Sequence, residues 1–106
     1  MMADGFKKTD IEGFDAFKKI MKEQMVSDDE FQIKEESIKE EPYQTSHYSG
    51  ELYSFRGNSE GVNTEARFYF LETETEYVGL NFYGLPSFFD RNNDRITEIV
   101  NSFVAA

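Results

Sequence analysis

The chain has 106 residues, no cysteine, and 21 acids against 11 bases, for a formal net charge of −10. That length suits one domain with a sizeable core, and the lack of cysteine excludes disulfides and thiolate metal sites. The charge disfavours nucleic acid and anionic lipid and favours basic partners.

No stretch approaches the ~20 apolar residues of a transmembrane helix, and the N-terminus lacks an apolar signal core. The expectation is a water-soluble chain with no membrane insertion, either cytoplasmic or an extracytoplasmic domain relieved of a leader. The acids gather mid-chain: residues 28–41 carry seven acids and two bases, and residues 51–76 carry six and two. Solubility is the plain reading of that excess.

Residues 1–8 read as a flexible N-terminal arm ahead of a single domain over 9–106. Thr9-x-x-Glu12 matches a capping box. Phe14, Phe17, Met21 and Met25 then recur at helical spacing with Ile20 beside them. A helix is predicted from about residue 10 to 26, ending near Ser27-Asp28-Asp29. Residues 30–39 begin with strand alternation at Phe31 and Ile33, then lose phase at Ile38. A bulge or strand end near Glu35-Glu36 accounts for that, and the charge suits an edge strand. Pro42 is expected to break this segment. Tyr43 to Phe55 reads as a second extended run, with Gly50 marking a bulge or a close backbone approach. Residues 57–61, Gly-Asn-Ser-Glu-Gly, form a hairpin loop.

Residues 62–84 are the best-patterned stretch, with two runs of period-two alternation. In the first, Val62, Thr64, Ala66, Phe68 and Phe70 share one face, and Asn63, Glu65, Arg67, Tyr69 and Leu71 the other. In the second, Val78, Leu80 and Phe82 oppose Tyr77, Gly79, Asn81 and Tyr83. Assigning Phe68, Phe70 and Phe82 to one side leaves Tyr69, Tyr77 and Tyr83 on the opposite side. After Gly84-Leu85-Pro86, Ser87 is read as the cap of a final helix. Its stripe is Phe89, Asn92, Ile96, Ile99, Val100 and Phe103. The fold class is therefore α+β: a four-stranded antiparallel meander with N-terminal and C-terminal helices packed on its Phe/Val/Leu face.

Few residues carry a chemical signature. His47 is the single histidine, which suits an ordinary strand or loop residue better than a general base. Asp90-x-Asn92-x-Asp94 opens like a calcium loop, but Arg95 stands where glycine is needed and Asn101 where the bidentate glutamate is needed. Helix capping and surface pairing explain it better. Glu72, Glu74 and Glu76 alternate in what reads as a solvated turn. No phosphate loop, nucleophile elbow or dinucleotide fingerprint occurs. No catalytic, cofactor-binding or metal-binding residue is assigned. The tyrosines, all between residues 43 and 83, are the set of interest. Two helices cover one sheet face, and a tyrosine face left partly open suits a protein contact. The alternative is a second core layer.

The C-terminal half also resembles a family. Ser49-Gly50 enters a strand, a hairpin follows, and an aromatic strand (Arg67-Phe68-Tyr69-Phe70) leads to Tyr77-Val78-Gly79-Leu80-Asn81-Phe82. The chain closes on an I-x-x-I-V-x-S-F ending, Ile96 to Phe103. Over about residues 46–103 this resembles the PsbP-like domain family of photosystem-associated proteins, a nuclear-transport factor, and bacterial lipoproteins and secretion chaperones. The resemblance implies an antiparallel sheet flanked by helices and a protein-binding role.

The expected function is a non-enzymatic protein-binding module using Tyr69, Tyr77, Tyr83, Glu65 and Glu74. Its partner would be a basic protein or a second copy of the chain. Two alternatives are an acidic inhibitor occupying a nucleic-acid-binding groove of another protein, and a hydrolase with a carboxylate pair in a cleft.

Overall fold

Glu60 and Gly61, with φ of 52° and 84°, turn the chain between β4 (Ser49–Ser59) and β5 (Val62–Glu72). Positive φ at both central residues gives a two-residue turn whose twist matches that of paired strands. Asn58 Oδ1 accepts the Gly61 N–H at 2.7 Å. The computed structural model describes residues 2–26 and 31–104. Within them the order is β1 (Met2–Lys7), α1 (Phe14–Val26), β2 (Phe31–Ile33), a 3₁₀ turn (Glu35–Ser37), β3 (Lys39–Gln44), β4, β5, β6 (Glu76–Gly84) and α2 (Pro86–Ser102). One antiparallel sheet results, ordered β1-β6-β5-β4-β2, with β3 also paired to β4.

The class is α+β with an antiparallel sheet, as expected, but the described strands number six rather than four. Three local readings account for the difference. Residues 2–7 are not a loose arm; they pair along β6 from Met2–Asn81 to Lys7–Glu76. Pro42 does not end a strand, because β3 lies at the sheet margin, where a missing N–H costs no ladder bond. The run from Tyr43 to Phe55 is two strands folded back on each other. Buried Thr45 closes that turn, its Oγ1 accepting the Tyr48 N–H at 2.8 Å. The lost phase after Ile33 is the 3₁₀ turn, which separates the two pieces pairing with β4.

The helices begin elsewhere than their sequence caps suggest. Helix α1 starts at Phe14, with the Phe17 N–H donating to Gly13 O at 3.1 Å. Thr9 and Glu12 therefore lie ahead of it. The end expected at Ser27-Asp28-Asp29 falls outside the described residues. Helix α2 is capped by Leu85 with Pro86 in its first turn, where its fixed φ fits and no N–H is missed.

The larger departure concerns the faces. Register pairs Phe70 with Gly79, Leu71 with Val78 and Tyr69 with Leu80. The turn Glu74-Thr75 holds an even number of residues, so odd positions of β6 lie beside even positions of β5. Tyr77 and Tyr83 thus join the face of Phe68 and Phe70, and Phe82 joins Tyr69. Each face has its own helix. Under α1, Phe17 and Met21 pack on Tyr53, Phe55, Ala66, Phe68, Phe70 and Tyr77. Under α2, Phe89, Ile96 and Val100 pack on Tyr69, Leu71, Val78, Leu80 and Phe82. The helices do not share one face, and neither face is left bare. Full burial of each phenylalanine contributes about 1.5–3 kcal/mol. Ion pairs Lys18–Glu51, at 2.7 Å, and Lys22–Glu40 tie the flank of α1 to β4 and β3.

Candidate functional site

The five residues singled out from sequence do not form one surface. Tyr69 is 2% exposed beneath α2, edge-on to Tyr43 at 5.0 Å between ring centroids. Tyr77 is buried beneath α1, stacked on Phe17 at 5.6 Å. Tyr83 is 51% exposed, on the α1 face, with its ring against Phe68. Glu65 is buried on the α2 face, and Glu74 is exposed at the β5–β6 turn. An open tyrosine face does not exist here, because Tyr77 and Tyr83 lie on the α1 face and α2 covers the Tyr69 side as a second core layer. His47 is exposed in the β3–β4 turn, and Asp90 to Asp94 lie within a helix rather than a loop.

What the fold does assemble is a charged cluster around Glu65. Arg56 and Glu65 are cross-strand partners about the Glu60-Gly61 turn, and Arg67 follows two residues on, on the same face. Glu65 Oε1 accepts from Arg56 Nε at 2.9 Å and Oε2 from Arg67 Nε at 2.8 Å. The carboxylate side chain is 7% exposed, so two cations and two hydrogen bonds offset its desolvation. Arg67 is held on further sides. Its Nη1 donates to Asn93 Oδ1 at 2.7 Å, and its guanidinium lies 4.6 Å over the Phe89 ring. Burial pushes the Tyr69 phenol above its ordinary pKa, and a hydrogen bond from Arg67 opposes that. Helix α2 leaves regular geometry at Asn92, with φ −117° and ψ 15°, immediately before Asn93.

Arg56 differs from Arg67. Its side chain is 55% exposed, and beyond Glu65 its guanidinium has no further hydrogen-bond partner among the described residues. Its backbone is pinned by the 3₁₀ turn: the Arg56 N–H donates to Ser37 Oγ at 2.7 Å, and Arg56 O accepts the Lys34 N–H at 2.9 Å. Beside this cluster the α2 face opens into a groove of about 640 Å³. Leu52, Ser54, Arg56 and Arg67 line it, with Lys39 of β3 and Asn93 of α2 among the other lining residues. Four bases and three acids line it in all, in a chain of net charge −10. A second hollow of about 520 Å³, lined by His47, Glu72 and Glu74 among others, lies at the β3–β4 and β5–β6 turns.

Sequence reasoning missed Arg56, Arg67 and Asn93. The signal for the first two was present: Arg56 and Glu65 are equidistant from Glu60-Gly61, so a two-residue turn makes them partners. Asn93 depends on where α2 crosses the sheet and had no local signal.

No protein-family model matches the chain, and no curated protein matches it. Among solved structures, a Pseudomonas aeruginosa protein of unknown function, PA94, described as a candidate regulator, is similar in fold. The TM-score is 0.66 at 11% identity, over 99% of this chain and 83% of that one.

Proposed function

We propose that the chain is a non-enzymatic protein-binding module that takes up a segment of its partner in the groove between α2 and β3. The observation that carries this reading is the groove itself, about 640 Å³ with a prearranged arginine on its floor. A contact surface of this kind needs anchoring side chains whose rotamers are already fixed, because less entropy is then lost on binding. The resemblance to PsbP-like domains implies the same role. With a net charge of −10, the surface around the groove favours a neutral or basic protein over nucleic acid.

Ser54 supplies the test. It faces the groove opposite Arg67 and is half-buried. Ser54→Tyr fills the floor, and Glu74→Lys alters the distant turn. Captured partners are compared by affinity purification from the source cell, with thermal unfolding as the control for fold. The expectation is loss of partner with Ser54→Tyr and retention with Glu74→Lys. Equal recovery with a folded Ser54→Tyr protein removes the groove from the contact.

A further inference from the structure

We infer that the groove recognises a single carboxylate, that of an acidic side chain of the bound segment, through the outer edge of the Arg56 guanidinium. This rests on the groove being the contact surface. Three observations carry it. Arg56 is fixed at both ends, by Ser37 and Lys34 on its backbone and by Glu65 on its Nε, yet stays half exposed. A carboxylate already occupies its inner edge, so its outer nitrogens are the donors left to face the groove. The cluster carries two arginines on one glutamate, an excess of one positive charge, and Lys34 and Lys39 on the walls are matched in number by Glu36 and Glu41, so the groove as a whole keeps that excess of one.

The ligand class follows from charge and geometry. A planar fork of N–H donors matches a carboxylate and forms strong charge-assisted bonds with it. Arg67, by contrast, is spent on Glu65, Asn93 and the Phe89 face, and it positions the cluster rather than meeting the ligand. Glu36 and Glu41 line the same groove, and the chain as a whole is strongly negative. One anionic group is therefore accommodated, while a run of phosphates meets repulsion on every side. The preferred segment is a lone carboxylate in neutral or basic surroundings.

The experiment is an NMR titration of the whole ¹⁵N-labelled chain, read at the arginine Nε–Hε resonances. The probe is N-acetyl-glutamic acid α-amide, which bears one carboxylate, with N-acetyl-glutamine amide as its neutral match. The glutamate probe is expected to shift the Arg56 resonance and the Ser37 and Lys39 amides saturably. The glutamine probe should bind about tenfold more weakly or less. Arg56→Gln should abolish the saturable shift at the Ser37 and Lys39 amides, and a cooperative melt, at a midpoint lowered by the loss of one of the two cations on Glu65, shows that the fold is kept. Arg56→Lys keeps charge without the fork and should retain a reduced response. Equal response to both probes, or no saturable response, overturns the inference. So does tighter binding of a short DNA duplex, which would assign the groove to phosphates. If the carboxylate titrates but Ser54→Tyr loses no partner, the protein-binding reading fails and the carboxylate site stands. If Ser54→Tyr loses its partner but the probe does not bind, the reverse holds.

Discussion

A Cβ at Gly50 would lie 1.7 Å from the Phe70 carbonyl oxygen and 2.8 Å from its carbon. Backbone, unlike a side-chain tip, has no rotamer by which to give way. Gly50→Ala is therefore expected to lower stability by more than about 3 kcal/mol, or to prevent folding, with urea unfolding as the measurement. The sequence flagged this position as a bulge or a close backbone approach, the two things an isolated glycine in a strand pattern marks, and the structure shows the second. Asn81 is the opposite case, a buried amide whose oxygen is left unmatched. It is 5% exposed, on the strand opposite Phe68, and its Oδ1 has no hydrogen-bond partner among the described residues. An unmatched buried acceptor costs about 1–3 kcal/mol. Asn81→Leu, of similar volume, should raise the urea midpoint by an amount worth about 1 kcal/mol. A fall in that midpoint would mean the amide has a partner that matters.

Among the elements, the β4–β5 hairpin carries visible strain at Glu60, a non-glycine residue at φ 52°. Asparagine tolerates that region better and is preferred in such turns. Glu60→Asn should stabilise the chain by about 0.5–1 kcal/mol in thermal or urea unfolding, and a loss would argue for a contact made by the carboxylate. Both helices and strands β5 and β6 were legible from periodicity, because each buries a stripe or a face. Strand β4 was read only in part, since its run was carried back to Tyr43 and the loop after it was begun at Gly57, whereas Gly57 to Ser59 are paired strand. Strand β1 was not legible. Met-Ala-Asp-Gly-Phe-Lys has neither alternation nor branched side chains, and it is extended only because β6 offers it an edge. Pro42 misled for a related reason, since its cost depends on whether the strand has a neighbour on that side, which no local window contains. The faces were lost at a single step. Alternation sorts residues within a strand, but which class of β6 joins which class of β5 depends on the turn, and the two were matched by residue type, phenylalanine with phenylalanine, instead of by register.

For the molecule as a whole, burial acts on the phenols in one direction. It raises the pKa of Tyr43, Tyr53 and Tyr69, opposed at Tyr43 by a hydrogen bond with Thr97 and reinforced at Tyr53 by the charge of Glu40. At Lys18, burial pulls the ammonium down, but hydrogen bonds and charge from Glu51 and Asp15 outweigh it and leave the pKa raised. Every one of these groups holds its proton more tightly folded than unfolded. Their contribution is complete below about pH 10 and is lost as pH rises through the folded values. Urea midpoints should stay flat from neutrality to about pH 9.5 as far as these groups decide, then fall. The Tyr69→Phe variant should fall less steeply, and an unchanged alkaline limb in it would exonerate Tyr69. The candidate site was less legible than the fold because it is built at this scale. Glu65 was singled out from sequence for exposure and proves to be enclosed, while the arginines that enclose it come from two strands brought together by one turn. The same dependence on turns gives the sheet a reading frame of two. One residue inserted between Glu74 and Thr75 would turn β6 over, offering Val78, Leu80 and Phe82 to α1 and sending Asn81 and Tyr83 beneath α2. Circular dichroism should then show a chain that no longer melts cooperatively, whereas a two-residue insertion, which restores the frame, should melt as one unit.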